Sequence, residues 1–138
     1  MGISYTDLED GLLSIVEAIV DIPPIQKENE RYTPTLGDTY IRLQDIPGVA
    51  TEATIGITGT DQVSGLYSIN CFFKTNIGMT TANDLVSEIV NTYNAADSVI
   101  LNQTCIRINS AWKLAAITET DWMQIPIQVA WTTYYNRV

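Results

Sequence analysis

The chain has 138 residues, 46% of them hydrophobic and 17% charged, which is the size and composition of one globular domain spanning residues 1–138. The 16 acidic and 7 basic residues give a formal net charge of -9, and the bases are scattered singly, so we expect no specific binding of nucleic acid. The chain has no histidine and only two cysteines, which argues against the commonest forms of acid–base catalysis and against structural zinc.

The N-terminal part of the chain predicts an amphipathic helix and then a long connection. From Ser4 to Val20 apolar residues recur at helical spacing, Ser4 and Asp7 form an S-x-x-D start, and Pro23-Pro24 should stop the helix. Residues 25–39 contain few apolar side chains, and a loop of this length indicates a functional or interfacial role.

The next segment predicts three strands. Residues 40–45 alternate between apolar and polar side chains and should end at Pro47-Gly48. Residues 53–58 and 66–75 alternate in the same way. We expect these two segments to pair as a hairpin whose polar tip runs from Thr60 to Ser64.

A second amphipathic helix follows. Thr81 and Asp84 repeat the capping pattern, apolar residues continue at helical spacing to Tyr93, and the helix should end between Asn94 and Ser98.

The last third of the chain predicts two or three more strands, at Cys105–Trp112 and Met123–Tyr135, with Ala111 to Ile117 either continuing the first or forming its partner. Because Pro126 lacks a backbone N–H, the final strand should lie at a sheet edge or carry a bulge there. The order of elements predicts an α+β fold, a mixed or antiparallel sheet of about five to six strands with two amphipathic helices packed on one face.

No motif predicts a catalytic, cofactor or metal site, and the chain is not expected to be an enzyme. The glycines at 56 and 59 lack the lysine of a phosphate-binding loop, and neighbouring carboxylates lie in polar segments that would not raise their pKa. Cys71 and Cys105 are expected to be reduced thiols packed as small hydrophobic side chains. No apolar run approaches the roughly 20 residues that span a bilayer, so no membrane partner is expected.

The aromatic residues of the last third allow two interpretations. Trp112, Trp122, Trp131, Tyr134 and Tyr135 fit the core of a sheet, with polar groups at its rim. The same residues could instead line a ligand groove, and Tyr134 and Tyr135 could serve assembly, because aromatic residues are enriched in protein interfaces.

A family resemblance runs over nearly the whole chain, from about Tyr5 to Thr133. It rests on the order of short motifs: Glu28-Asn29, Tyr32-Thr33-Pro34, Gly37, Tyr40-Ile41-Arg42, Gly65 to Ile69, Gly78, Ala82 with Leu85, and Ile125 to Thr132. This succession resembles small phage tail terminator and tail-completion proteins, the group that includes the minor tail protein U of lambdoid phages.

The resemblance implies a structural role without cofactors. Such a protein would form a ring, a hexamer, that caps the tail tube, stops its polymerisation and meets the head–tail connector. It would be assembled in the host cytoplasm and reside in the neck of the virion, where DNA passes through the lumen without specific binding. Candidate contact residues are Arg42, Asp61, Gln62, Pro126, Tyr134 and Tyr135. Arg42 fits an ion pair between subunits or an ordinary exposed strand residue.

Three alternatives remain open at this point. The chain could be a different ring of the neck or a subunit of the tail tube. It could also be a cytoplasmic small-ligand-binding module that uses the late aromatic residues as a pocket. An enzyme that depends on carboxylates, lysine or tyrosine is the weakest alternative, because nothing in the sequence indicates a side chain whose pKa is shifted for catalysis.

Overall fold

The computed structural model describes residues 3–27, 30, 33, 39–53, 59–75 and 78–136. This part of the chain forms two helices and one seven-stranded sheet. In chain order the elements are α1 (Tyr5–Glu17), β1 (Ile25–Gln26), β2 (Tyr40–Glu52), β3 (Thr60–Lys74), α2 (Thr80–Ala96), β4 (Ser98–Leu101), β5 (Thr104–Lys113), β6 (Ile117–Thr118) and β7 (Trp122–Asn136).

The sheet confirms the predicted α+β class and is larger than predicted. Its strand order is β1-β2-β3-β7-β5-β4, with β6 also paired to β7. Only β1 and β2 run parallel, so the sheet is mixed. The additional strands include two of only two residues, and one of these, β1, lies in the segment that was predicted as loop. Such short strands carry too little alternation to be recognised from sequence.

The start of α1 is confirmed, because the Ser4 hydroxyl accepts a hydrogen bond from the Asp7 N–H at 3.3 Å. The helix ends at Glu17, earlier than predicted and well before Pro23, so the prolines do not terminate it. In α2 the predicted cap at Thr81 is wrong. The Met79 carbonyl already accepts from the Asn83 N–H at 2.8 Å, so the helix begins before Thr81.

The hairpin lies in a different place from the prediction. β2 continues through Pro47 as far as Glu52, and it accommodates the extra residue of a bulge between Pro47 and Ala50. Thr60 to Ser64, predicted as the hairpin tip, instead begin β3 and pair with β7. The predicted strand at 53–58 lies, except for Ala53, outside the described residues.

Both helices pack on one face of the sheet, as predicted. They contact each other and β5, α1 also contacts β4, and α2 also contacts β7. The phenol of Tyr93 joins the two helices by donating a hydrogen bond to the Leu12 carbonyl at 2.7 Å. The core between the layers includes Leu8, Leu12, Val16, Ile41, Ile69, Phe73, Val86, Ile89, Tyr93, Ile106, Ile125, Ile127, Val129 and Trp131.

We predict that Gly65→Ala destabilises the fold by about 2–3 kcal/mol. A Cβ atom at this position would lie 2.5 Å from the Ile46 carbonyl oxygen and 2.7 Å from Cζ2 of Trp131. Urea unfolding would measure the loss. Gly11→Ala is the matched control, because the atom that its Cβ would meet is the flexible end of Ile106, and it should cost less than about 1 kcal/mol. Equal losses in the two variants would contradict the prediction.

We predict that the free energy of unfolding falls as pH rises from about 9 to about 12. Burial raises the pKa of the Cys71 thiol from 9.0 to about 12, so the unfolded chain loses this proton first and binds fewer protons throughout that interval. Burial also raises the pKa of Tyr93, which acts in the same direction above pH 10. Unfolding in urea at several pH values would measure the slope. Cys71→Ala should flatten it, and an unchanged slope in that variant would count against the assignment.

Candidate interaction surface

Neither helix covers the second face of the sheet, which we call the outer face. Its side chains alternate along each strand with those of the core, and strand register aligns them across the sheet. The outer face includes Tyr40, Arg42, Gln44, Gln62, Ser64, Ser68, Asn70, Phe72, Lys74, Cys105, Arg107, Trp112, Trp122, Gln124, Pro126, Gln128, Thr132 and Tyr134.

Four of the six predicted contact residues lie on the outer face, but they form two separate groups. Arg42 and Pro126 flank Asn70 in one row across β2, β3 and β7. Gln62 and Tyr134 face each other in a second row, eight residues along β3 and therefore about 27 Å away.

Asp61 and Tyr135 form a third pair on the opposite, helix-bearing side of the sheet. The ring of Tyr135 packs against the core, whereas Tyr134 is 55% exposed. The neighbouring tyrosines therefore belong to different surfaces, because successive strand residues point to opposite faces.

The prediction that Pro126 marks an edge strand or a bulge is wrong. β7 lies inside the sheet, with β3 on one side and β5 and β6 on the other. Its pairing with β5 ends at Ile127, its pairing with β6 begins at Gln124, and the Pro126 carbonyl accepts from the Leu114 N–H at 2.9 Å. In an antiparallel strand the N–H and C=O of one residue point to the same side. The backbone nitrogen of Pro126 therefore faces the gap between β5 and β6, as its carbonyl does. No ladder hydrogen bond is lost there, because neither strand pairs with β7 at this residue.

Arg42 is held above a group of aromatic rings. Its Nε donates to Gln26 Oε1 at 3.3 Å, and its guanidinium carbon lies 4.9 Å from the centre of the Phe72 ring. Phe72 stacks on Tyr40 at 4.6 Å, and Tyr40 meets Trp122 edge-on at 5.2 Å. These contacts fix the direction of an exposed cation, and no carboxylate of the described residues forms an ion pair with it.

Uncharged polar side chains occupy the middle of the outer face. Asn70 Oδ1 accepts from Gln124 Nε2 at 3.0 Å and from Ser68 Oγ at 3.4 Å, and Gln128 Nε2 donates to Ser68 Oγ at 3.4 Å. Nearer the far end, Thr132 Oγ1 lies 3.1 Å from Ser64 Oγ. Sequence reasoning missed this amide and hydroxyl network, because the residues come together only through the register of β3 with β7.

Charge is divided between the two sides of the domain. The helices α1 and α2 carry no lysine or arginine and six carboxylates: Asp7, Glu9, Asp10, Glu17, Asp84 and Glu88. The strand residues of the outer face include three cations, Arg42, Lys74 and Arg107, and no aspartate or glutamate. Asp97, at the end of α2, lies at the rim, where it lines a cleft of about 330 Å³ with Arg107 and Tyr134.

The late aromatic residues do not all line one pocket, although Tyr134 and Tyr135 both line a cleft of about 240 Å³ at the end of β7. Trp112, Trp122 and Tyr134 lie on the outer face, and Trp131 is buried in the core. The expectation of core packing therefore holds for Trp131 and fails for Trp112 and Tyr134. Sequence reasoning also missed Lys74 and Arg107. The pairing of the strands places both on the same face of the sheet as Arg42.

The described residues contain no group of three or more metal-ligating side chains placed to hold a metal ion. Among the helices of the same part of the chain, none is long and apolar enough to cross a membrane. Cys71 is buried as predicted, but Cys105 is exposed, because it falls on the outer face of β5.

The chain matches a family model described as phage tail terminator protein over residues 7–131. A solved structure with 16% sequence identity superposes with a TM-score of 0.70 and covers 96% of each chain, which shows a shared fold. No curated protein sequence matches the chain.

We predict that one of the two thiols reacts with a disulfide reagent in the dilute native protein. Cys105 is exposed, whereas Cys71 is buried and its raised pKa lowers the thiolate fraction further. Cys71 should therefore react only when the sheet opens. Absorbance assays with and without urea would count the thiols. Cys105→Ser should abolish the native reaction, and prompt modification of Cys71 would refute the burial assignment.

Proposed function

The chain belongs to the phage tail terminator family and is a structural component of a phage tail, and on that premise we propose that it forms a ring that ends the tail tube. The ring would contain six copies, bind the last ring of tube subunits, stop further polymerisation and present its other side to the head–tail connector. Such a ring would lie in the neck of the virion after assembly in the host cytoplasm.

The helix-free outer face is the observation that supports assembly best. It combines exposed aromatic residues, Trp112 and Tyr134, with the arginines 42 and 107 and lacks carboxylates on its strands. Protein interfaces are enriched in tryptophan, tyrosine and arginine and depleted in aspartate, glutamate and lysine. A sheet face with this composition is suited to contact another protein surface.

The role requires no catalysis and no cofactor. A ring subunit acts by shape and by the contacts that it makes, so substrate-directed chemistry is not needed. The net charge of -9 also suits a passage for DNA, because an acidic protein repels the phosphate backbone and lets it slide.

A phage or prophage that lacks this protein should produce tails of abnormal length that do not join heads. The reason is that nothing would block addition of tube subunits or offer the connector its binding surface. Electron microscopy of lysates would measure tail length, with the wild-type chain supplied in trans as the restoring control. A variant with a disrupted core, Leu12→Asp, should fail to restore, because Leu12 is fully buried between the helices and the sheet.

Two results would redirect the proposal. Tails of normal length that remain unjoined to heads would indicate another ring of the neck. Purified protein that grows into long tubes, in place of closed rings of six times the 15.3 kDa chain mass, would indicate a subunit of the tail tube.

A further inference from the structure

Among the described residues, the cations of the outer face form no ion pair, although Asp97 lines the same cleft as Arg107. Arg42 donates to a glutamine and lies over a phenyl ring, and the side chains of Lys74 and Arg107 form no ion pair within the described residues. The acids of α1 and α2 lie on the other side of the sheet. In a chain with more than twice as many acids as bases, cations without acidic partners require an explanation.

We propose that the outer face of one copy packs against the helix layer of the next copy, where the helix layer is the solvent-exposed side of α1 and α2. This contact rests on the ring assembly proposed above and specifies which two surfaces form it. It would bring Arg42, Lys74 and Arg107 of one subunit toward exposed carboxylates of its neighbour, among them Asp10, Glu17, Asp84 and Glu88.

Charge complementarity favours a head-to-tail contact over a two-fold symmetric one. In a two-fold contact each surface meets its own copy, so cations would oppose cations and carboxylates would oppose carboxylates. Joining the outer face to the helix layer pairs opposite charges at every interface around the ring. Charge complementarity therefore favours the head-to-tail contact and disfavours the two-fold contact, because holding like charges close together costs free energy.

The composition of the outer face favours a protein partner over DNA. Arg42 and Arg107 lie on β2 and β5, with β3 and β7 between them, and amides and hydroxyls fill that interval. Binding to a duplex would require several cations near successive phosphates. The outer face instead combines hydrogen-bonded amides with tryptophan, tyrosine and arginines that lie far from each other. This composition is typical of a surface that is buried against another protein.

Two charge-reversed variants test the contact. The sheet variant carries Arg42→Glu and Arg107→Glu, and the helix variant carries Asp10→Lys, Glu17→Lys, Asp84→Lys and Glu88→Lys. All six positions are exposed, so both variants should fold, which circular dichroism and thermal unfolding would verify. Native mass spectrometry and crosslinking would then measure association of each variant alone and of an equimolar mixture.

We expect each variant alone to associate at least about ten-fold more weakly than the wild type, because each opposes like charges across the contact. The mixture should regain assembly with equal numbers of the two variants, since both kinds of interface then join opposite charges. Lys27→Glu with Lys113→Glu is the matched control. It lowers the net charge as much as the sheet variant does, at exposed positions outside the outer face. Both lysines border the helix layer, where Lys113 Nζ donates to Asn83 Oδ1 at 3.0 Å and Lys27 lines a cleft with Asp10. Their reversal adds to the negative charge that the helix layer already carries, so association should be no weaker than in the wild type.

Cys105 provides a second measurement, because it lies on the outer face and its thiol should be protected from modification in the assembled wild type but not in the sheet variant. Wild-type association by the sheet variant, or a mixture that stays monomeric although both variants fold, would overturn the contact. The contact would also be overturned if the wild type bound duplex DNA without self-associating and the sheet variant did not bind it. DNA would then be the partner of the outer face.

Failure of this contact is separable from failure of the tail role. The wild-type chain could restore tail length and head joining while the charge-reversed variants associate as strongly as the wild type. The protein would then remain a tail terminator, and its ring would form through other surfaces. A chain that associates through the predicted surfaces but does not restore tail completion would retain the contact and lose the proposed function.

Discussion

The antiparallel pairing of β3 with β7 is the constraint on which the rest of the structure depends. It runs without interruption from Thr60 opposite Asn136 to Lys74 opposite Trp122, in the middle of the sheet. One register therefore sets both faces at once. It points Ile69, Ile127 and Val129 toward the helices and aligns Asn70, Gln124 and Gln128 on the other side. A slip of one residue would turn the apolar side chains of a strand toward solvent and its amides toward the helices. The loss of apolar burial makes such a slip strongly unfavourable.

Both helices pack on the face that this register makes apolar, and that choice also separates the charges of the domain. The helices bury an apolar stripe against the sheet and leave their acids in solvent, while the outer face retains arginines, amides and aromatic rings. The hydrogen bond from Tyr93 to the Leu12 carbonyl joins the helices within one layer. The result is a domain with two unlike surfaces, which is the property that a subunit needs in order to join its neighbour head to tail.

Sequence reasoning located elements better than it located their ends and partners. The alternation at Met123–Tyr135 and the apolar spacing in both helices were correct, because these patterns are long and strongly periodic. Pro47-Gly48 and Pro126 misled for a common reason. Pro47-Gly48 was interpreted as the end of a strand and Pro126 as the mark of an edge strand or a bulge. Instead, Pro47 lies at a bulge within β2, and Pro126 lies at the gap between β5 and β6, where a proline removes no ladder hydrogen bond. The six candidate contact residues were chosen without knowledge of register, and they fell into three pairs on two faces.

The sequence by itself determined the class of fold, the helix faces, the acidic balance and the resemblance to phage tail terminators, because these depend on composition, local periodicity and the order of motifs along the chain. Only the tertiary structure decided which strands are neighbours, that Tyr134 and Tyr135 belong to opposite surfaces, and that Arg42, Lys74 and Arg107 share a face free of strand carboxylates. Those properties arise from pairing between residues far apart in sequence. Such pairing is selected by the burial of one common core, which no local pattern encodes.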